Sequence, residues 1–115
     1  MANAEMMNDD DTITRGTGNV FADLGYADAG ERQTKLQLVH AINGVITRRH
    51  LTQAAAAERL GVGQPKVSAL ANYKLEGFSV ERLMTFLTAL DQDVEIVIRK
   101  KPRARMAGRI SVIAA

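Results

Sequence analysis

The sequence lacks cysteine and tryptophan, and only 4% of its 115 residues are aromatic. Without cysteine the chain has no disulfide framework, no thiolate nucleophile and no cysteine-bound zinc. It also lacks any apolar run near the ~20 residues that span a bilayer. The first eleven residues are polar and acidic, unlike the basic and then apolar parts of a secretion signal. We therefore expect one small cytoplasmic domain with an aliphatic, mainly helical core.

The formal net charge is only +2, but the charge is divided unevenly along the chain. Residues 1–31 carry seven acidic residues and one basic residue, whereas residues 32–91 carry eight basic and four acidic residues. Residues 92–115 carry six basic and two acidic residues. A basic middle and tail favour a polyanionic partner, because Lys and Arg that contact phosphates release condensed counterions. A solvated surface behind an acidic tail explains the same asymmetry, so charge alone leaves both open.

The sequence offers no catalytic, metal or cofactor site. His40 and His50 stand ten residues apart without a carboxylate at ligand spacing, and neither has a nucleophile beside it. The glycines at 16 and 18 lie in a polar segment and do not follow a strand, as a phosphate-binding loop would. We therefore expect a binding protein rather than an enzyme.

The first long helix is predicted to begin near Asp28, because Asp28 and Glu31 have the spacing of a capping box. It should end near residues 48–50. An apolar stripe at spacings of three and four predicts its buried face: Leu36, Val39, Ile42 and Ile46. Residues 19–26 form a separate apolar cluster before this helix: Val20, Phe21, Leu24 and Tyr26.

Two short helices are predicted next, separated by a glycine turn. Thr52 caps residues 53–60, which contain four consecutive alanines and so favour helix strongly. Gly61 stands where a left-handed residue ends a helix. The next helix covers residues 64–72, and Pro65 is tolerated in its first turn. Two of its aliphatic residues are spaced to face inward: Val67 and Leu70.

A fourth helix is predicted after Ser79, and residues 93–99 then alternate as a β-strand does. One side of this strand carries Val94, Ile96 and Ile98. The chain offers no second good strand to pair with it, and an unpaired edge is a liability. Pairing with the same strand of a second copy resolves this, so we expect a homodimer. Residues 1–18 and 100–115 are expected to be flexible tails.

Residues 51–72 resemble the helix-turn-helix of the Cro and phage-repressor (XRE-type) regulators, with the sequence LTQAAAAERLGVGQPKVSALAN. A longer pattern, which includes residues 18–25, 77–83 and 93–99, resembles HigA-type antitoxins. The resemblance implies a lambda-repressor-like bundle of four to five helices with a C-terminal β-strand over residues 19–99.

The resemblance also implies which residues contact DNA. Gln53 matches a phosphate contact, and Gln64 matches a base reader at the start of the recognition helix. Tyr73 stands where the family commonly has glycine. The full set of implied DNA-binding residues is Gln53, Gln64, Pro65, Lys66, Ser68, Ala69, Asn72 and Lys74.

The implied function is a dimeric repressor that reads a palindromic operator in double-stranded DNA and controls its own operon. An alternative is an inhibitor that neutralises an RNase toxin of the RelE/HigB type. The acidic residues 1–31 would bind a basic toxin, with contacts from four apolar side chains: Val20, Phe21, Leu24 and Tyr26. The basic run from Arg99 to Arg105 fits further phosphate contacts and a solvated tail equally well.

Overall fold

A computed structural model describes the backbone of residues 20–114 and the side chains of residues 29–114. The described chain forms four helices: α1 (Val20–Arg48), α2 (Gln53–Leu60), α3 (Gln64–Ala71) and α4 (Val80–Ala89). The chain divides into two units, Met1–Gln33 and Thr34–Ala115. Helix α1 crosses the boundary: its residues 20–33 belong to the first unit, and its residues 34–48 belong to the second unit with the other three helices. None of the described helices is both long enough and apolar enough to cross a membrane.

Helix α1 begins at Val20, so the predicted start near Asp28 is wrong. Residues 20–26, which were expected to lie outside the helices, have a helical backbone. The capping-box pattern misleads here because Asp28 and Glu31 are also acceptable inside a helix. Each interior glycine costs about 1 kcal/mol relative to alanine, which a helix of 29 residues can tolerate. The side chains of the predicted toxin-binding residues Val20, Phe21, Leu24 and Tyr26, and all of residues 1–18, lie outside the described residues.

The core of the second unit lies between α1 and the three shorter helices. Val39 and Ile42 from the predicted stripe of α1 are fully buried, whereas Leu36 and Ile46 are half-buried at its edges. Phe86 of α4 is also buried. Its ring packs edge-on against Phe78, with 6.0 Å between the ring centroids. The segment before α4 is therefore joined to α4 by an aromatic pair.

The helix ends are capped largely as the sequence predicts. Thr52 Oγ1 accepts a hydrogen bond from the Ala55 amide at 3.0 Å, and Ser79 Oγ accepts one from the Arg82 amide at 3.0 Å. Each hydroxyl satisfies an amide that has no partner inside its own helix. These caps set the starting points of α2 and α4.

The prediction of a mainly helical chain is confirmed, but the single chain does not form the predicted strand over residues 93–99. Residues 92–102 have no regular secondary structure, and Ile96 and Ile98 are 74% and 92% exposed. A strand requires a neighbour to complete its hydrogen-bond ladder, and the described residues of one chain provide none. Val94 alone of the three predicted dimer residues is half-buried and packs against the core.

Candidate nucleic-acid interface

Helices α2 and α3 pack against each other through small and branched aliphatic side chains. Ala56 and Ala57 of α2 are buried, which lets a neighbouring helix approach closely. Val67 and Leu70 of α3 are 2% and 0% exposed. Burial of this pair fixes which side of α3 faces the core, and hence which side faces outward.

A tight left-handed turn joins the two helices at Gly61. Its φ is +71°, and its amide donates to Ala57 O at 2.9 Å. The Val62 amide donates to the same carbonyl at 3.1 Å. A Cβ at Gly61 would meet no atom within 4 Å, so the backbone conformation rather than crowding requires glycine here. Extended backbone at Gly63 then leads into α3.

The first turn of α3 is its most exposed part. Gln64, Pro65 and Lys66 are exposed, as is Gln53 at the start of α2. Ser68 and Ala69, on the next turn, are half-buried. Ala69 packs against the core, although the sequence places it on the exposed face. The proposed contact residues at the N-terminal ends of α2 and α3 are therefore more accessible than those on the second turn of α3.

Lys66 brings a positive charge to this first turn. Its Nζ lies 5.1 Å from the centroid of the Phe78 ring, a cation–π contact worth about 0.5–1 kcal/mol at an exposed site. The side chain remains exposed, because the ring covers only one side of it. The charge adds to the positive end of the α3 dipole, so this end of the helix favours an anion.

The C-terminal end of α3 is held by two side chains of α1. Asn43 Nδ2 donates to Leu70 O at 2.9 Å, and the Tyr73 hydroxyl lies 3.0 Å from His40 Nδ1. Tyr73 has a φ of +56°, which is the left-handed conformation. The family commonly has glycine at this position. Sequence reasoning missed His40 and Asn43 as positioning residues. Because each contact joins residues about thirty positions apart, no local pattern signals either of them.

The two predicted contact residues beyond α3 are both exposed. Asn72 caps the helix, and its Nδ2 donates to Ser68 O at 2.9 Å. Lys74 follows Tyr73, and its charge is accessible. Within residues 29–114 the structure brings together no group of three side chains that could hold a metal ion.

A helix-turn-helix domain family matches residues 20–99, which is most of the chain. A solved structure named "Putative XRE Family Transcriptional Regulator" is 77% identical, with a TM-score of 0.74. The match covers 76% of this chain and 99% of that one. The chain belongs to the XRE family of helix-turn-helix proteins. No curated protein matches it.

The family match separates two parts of this XRE family protein. It includes all four helices and ends at Arg99. The predicted resemblance to XRE-type proteins is thereby confirmed. Residues 100–114, which carry most of the basic tail, lie beyond the matched region.

Proposed function

We propose that this XRE family protein is a cytoplasmic DNA-binding transcriptional regulator that reads a specific duplex with the first turn of α3. The observation that carries the proposal is the exposure of Gln64, Pro65 and Lys66 on a helix whose opposite side is buried. A helix of this kind in a helix-turn-helix enters the major groove with its N-terminal residues toward the base edges. The name of the 77% identical relative supports the same function.

The exposed side chains divide into base contacts and phosphate contacts. Gln64 can pair bidentately with adenine N6 and N7, and Lys66 can reach guanine O6 and N7. The remaining base-side residues contribute smaller contacts, a thymine methyl or a single hydrogen bond: Pro65, Ser68 and Ala69. The phosphate contacts come from the helix ends and the segment after α3: Gln53, Asn72 and Lys74.

The proposed operator is a palindrome read by a homodimer. The segment that carries the exposed aliphatic residues Ile96 and Ile98 can form a ladder of backbone hydrogen bonds with the same segment of a second copy. Val94 of this segment packs against the core of its own chain. A two-fold axis then places two copies of α3 in successive major grooves about 34 Å apart. Sedimentation equilibrium should give a dimer for the wild type and a monomer for Ile96→Lys/Ile98→Lys. A dimeric variant would refute this interface.

Selection of bound sites from random DNA tests the regulator proposal directly. Once a site is known, Gln64→Ala should weaken binding by about 1–3 kcal/mol, or roughly 5- to 150-fold, and relax preference at one base pair. Gln33→Ala is the matched control, because Gln33 is also exposed on a helix but lies outside the proposed interface. Fluorescence anisotropy measures both affinities. A Gln64→Ala protein that binds as tightly as wild type would remove Gln64 from the reading surface.

A second candidate function is that of an antitoxin that represses its own operon, supported by the seven acidic residues among residues 1–31. This charge complements a basic RNase toxin of the RelE/HigB type. Among the described side chains of α1, which start at residue 29, the first buried one is Thr34, so deletion of residues 1–26 should spare the described core and DNA binding. The same deletion should abolish co-purification with such a toxin. Loss of both activities together would contradict this division of roles.

A further inference from the structure

Residues 100–109, here termed the basic loop, concentrate charge outside the helix-turn-helix. They contain five basic residues and no acidic residue. Arg105 is half-buried and the other four basic residues are exposed. Among the described residues none of the five has an ion-pair partner, whereas Arg49 and Arg59 both pair with Asp91. The basic loop lies beyond the family match, so the family assignment does not account for it.

Both ends of the basic loop are attached to the domain. Val94 precedes it and Val112 follows it, and both pack against the core. The Val112 amide also donates to Gln37 Oε1 of α1 at 3.1 Å. Within the basic loop, the Arg105 amide donates to Pro102 O at 3.2 Å and closes a turn. A tethered loop loses less conformational entropy on binding than a free tail does.

The attachment point lies beside the exit from the recognition helix. Val112 and Tyr73 line the same surface groove, together with His40 of α1. Tyr73 stands between Asn72 and Lys74, the two proposed phosphate contacts. Arg109 precedes Val112 by three residues and therefore lies within about 10 Å of it along the chain. The basic loop thus returns to the domain next to the proposed path of the DNA backbone.

We infer that the basic loop is a second phosphate-binding surface, which contacts the DNA backbone beside the C-terminal end of α3. The inference rests on the proposed DNA-binding function and adds a sequence-independent contribution to it. Contacts to phosphate raise affinity and fix orientation but do not distinguish bases. Neutralising the basic loop should therefore weaken specific and non-specific binding by the same factor, and it should reduce the dependence on salt.

Two full-length variants that each lose three positive charges test this inference. The loop variant is Lys100→Gln/Lys101→Gln/Arg103→Gln. The matched control is Arg32→Gln/Arg48→Gln/Arg82→Gln, all exposed residues outside the basic loop and the proposed reading surface. Anisotropy titrations between about 50 and 200 mM salt, with the selected site and with an unrelated duplex, give the slope of log K against log salt. Each lost phosphate contact reduces the slope by about 0.9, so the loop variant should lose about 2–3 and the control less than about 1.

The outcomes separate this inference from the proposal on which it rests. Equal slopes of log K against log salt for the two variants would mean that affinity depends only on the net charge of the protein and not on where the charge lies. This result would overturn the inference. An unchanged slope for the loop variant would identify a solvated segment and would also overturn it. If the wild-type protein selects no site and binds neither duplex, the DNA-binding proposal itself fails. Matching far-UV circular dichroism melts for wild type and both variants verify that the fold is intact.

Discussion

Replacing Gly61 by alanine should destabilise the domain, whereas the same replacement at Gly44 should stabilise it. Gly61 has a φ of +71°, which costs an L-residue about 1–2 kcal/mol. A Cβ there meets nothing within 4 Å, so no steric clash adds to this cost. Alanine also lowers the conformational entropy of the unfolded chain, which stabilises the folded state by about 0.4–1 kcal/mol. The net loss at Gly61 is therefore about 1 kcal/mol.

Gly44 lies inside α1, where alanine is favoured over glycine by about 0.8–1 kcal/mol. The nearest atom to its added Cβ is Arg48 Nη1 at 3.3 Å. Arg48 is exposed and its side chain is flexible, so the guanidinium can shift by the small distance required. The expected gain in the free energy of unfolding is therefore just under 1 kcal/mol.

Urea and thermal unfolding followed by far-UV circular dichroism measure both changes. A change of 1 kcal/mol in the free energy of unfolding shifts the thermal midpoint of a domain of this size by about 4–8 °C. The melting temperatures of the two variants should therefore lie on opposite sides of the wild-type value. Gly61→Asn is the control, because asparagine tolerates the left-handed region and should cost less than alanine. If Gly61→Ala were as stable as wild type, the account of this turn would be wrong.

Substitutions at three further positions test the packing that positions α3. Leu70→Ala should cost about 2–5 kcal/mol in urea unfolding, because Leu70 is 0% exposed, and Leu70→Met should cost less than about 1.5 kcal/mol. Asn43→Ala should cost only about 1 kcal/mol, because Leu70 O still accepts from the Tyr73 amide at 3.0 Å. A loss above about 3 kcal/mol would mean that this carbonyl is left unsatisfied. Tyr73→Phe should cost less than about 1 kcal/mol by the same assay, because the hydroxyl contact with His40 is exposed.

The helices of the helix-turn-helix are predictable because their determinants are local. Thr52, Gly61 and Pro65 each act within one turn of their own position, so their types and spacing predict α2 and α3. The burial of Val67 and Leu70 follows from the same short-range periodicity. The exposed first turn of α3 could therefore be identified without knowledge of the rest of the fold.

The errors arise where the outcome depends on distant residues. A β-strand needs a partner, so the alternation over residues 93–99 could not by itself decide whether the segment pairs. The capping pattern of Asp28 and Glu31 suggested a boundary that the 29-residue helix does not have. Tyr73 keeps a left-handed conformation that favours glycine, and its hydroxyl meets His40 of α1. The pairing of residues 93–99 and the contact of Tyr73 with His40 have no signal within one helical turn.

Successive turns of α1 carry contacts to the end of α3 and to the segment that follows the basic loop. Gln37 accepts from Val112 after the basic loop, His40 meets Tyr73, and Asn43 donates to Leu70 O. These three residues are spaced by three and so lie along one side of the helix. Because Val39 and Ile42 beside them are fully buried, this side of α1 is fixed by the core. The end of the recognition helix and the segment that follows the basic loop are therefore both attached to α1. A change at Gln37 would remove one attachment of the basic loop, while the packing of Val94 and Val112 and both contacts to the end of α3 would stay in place.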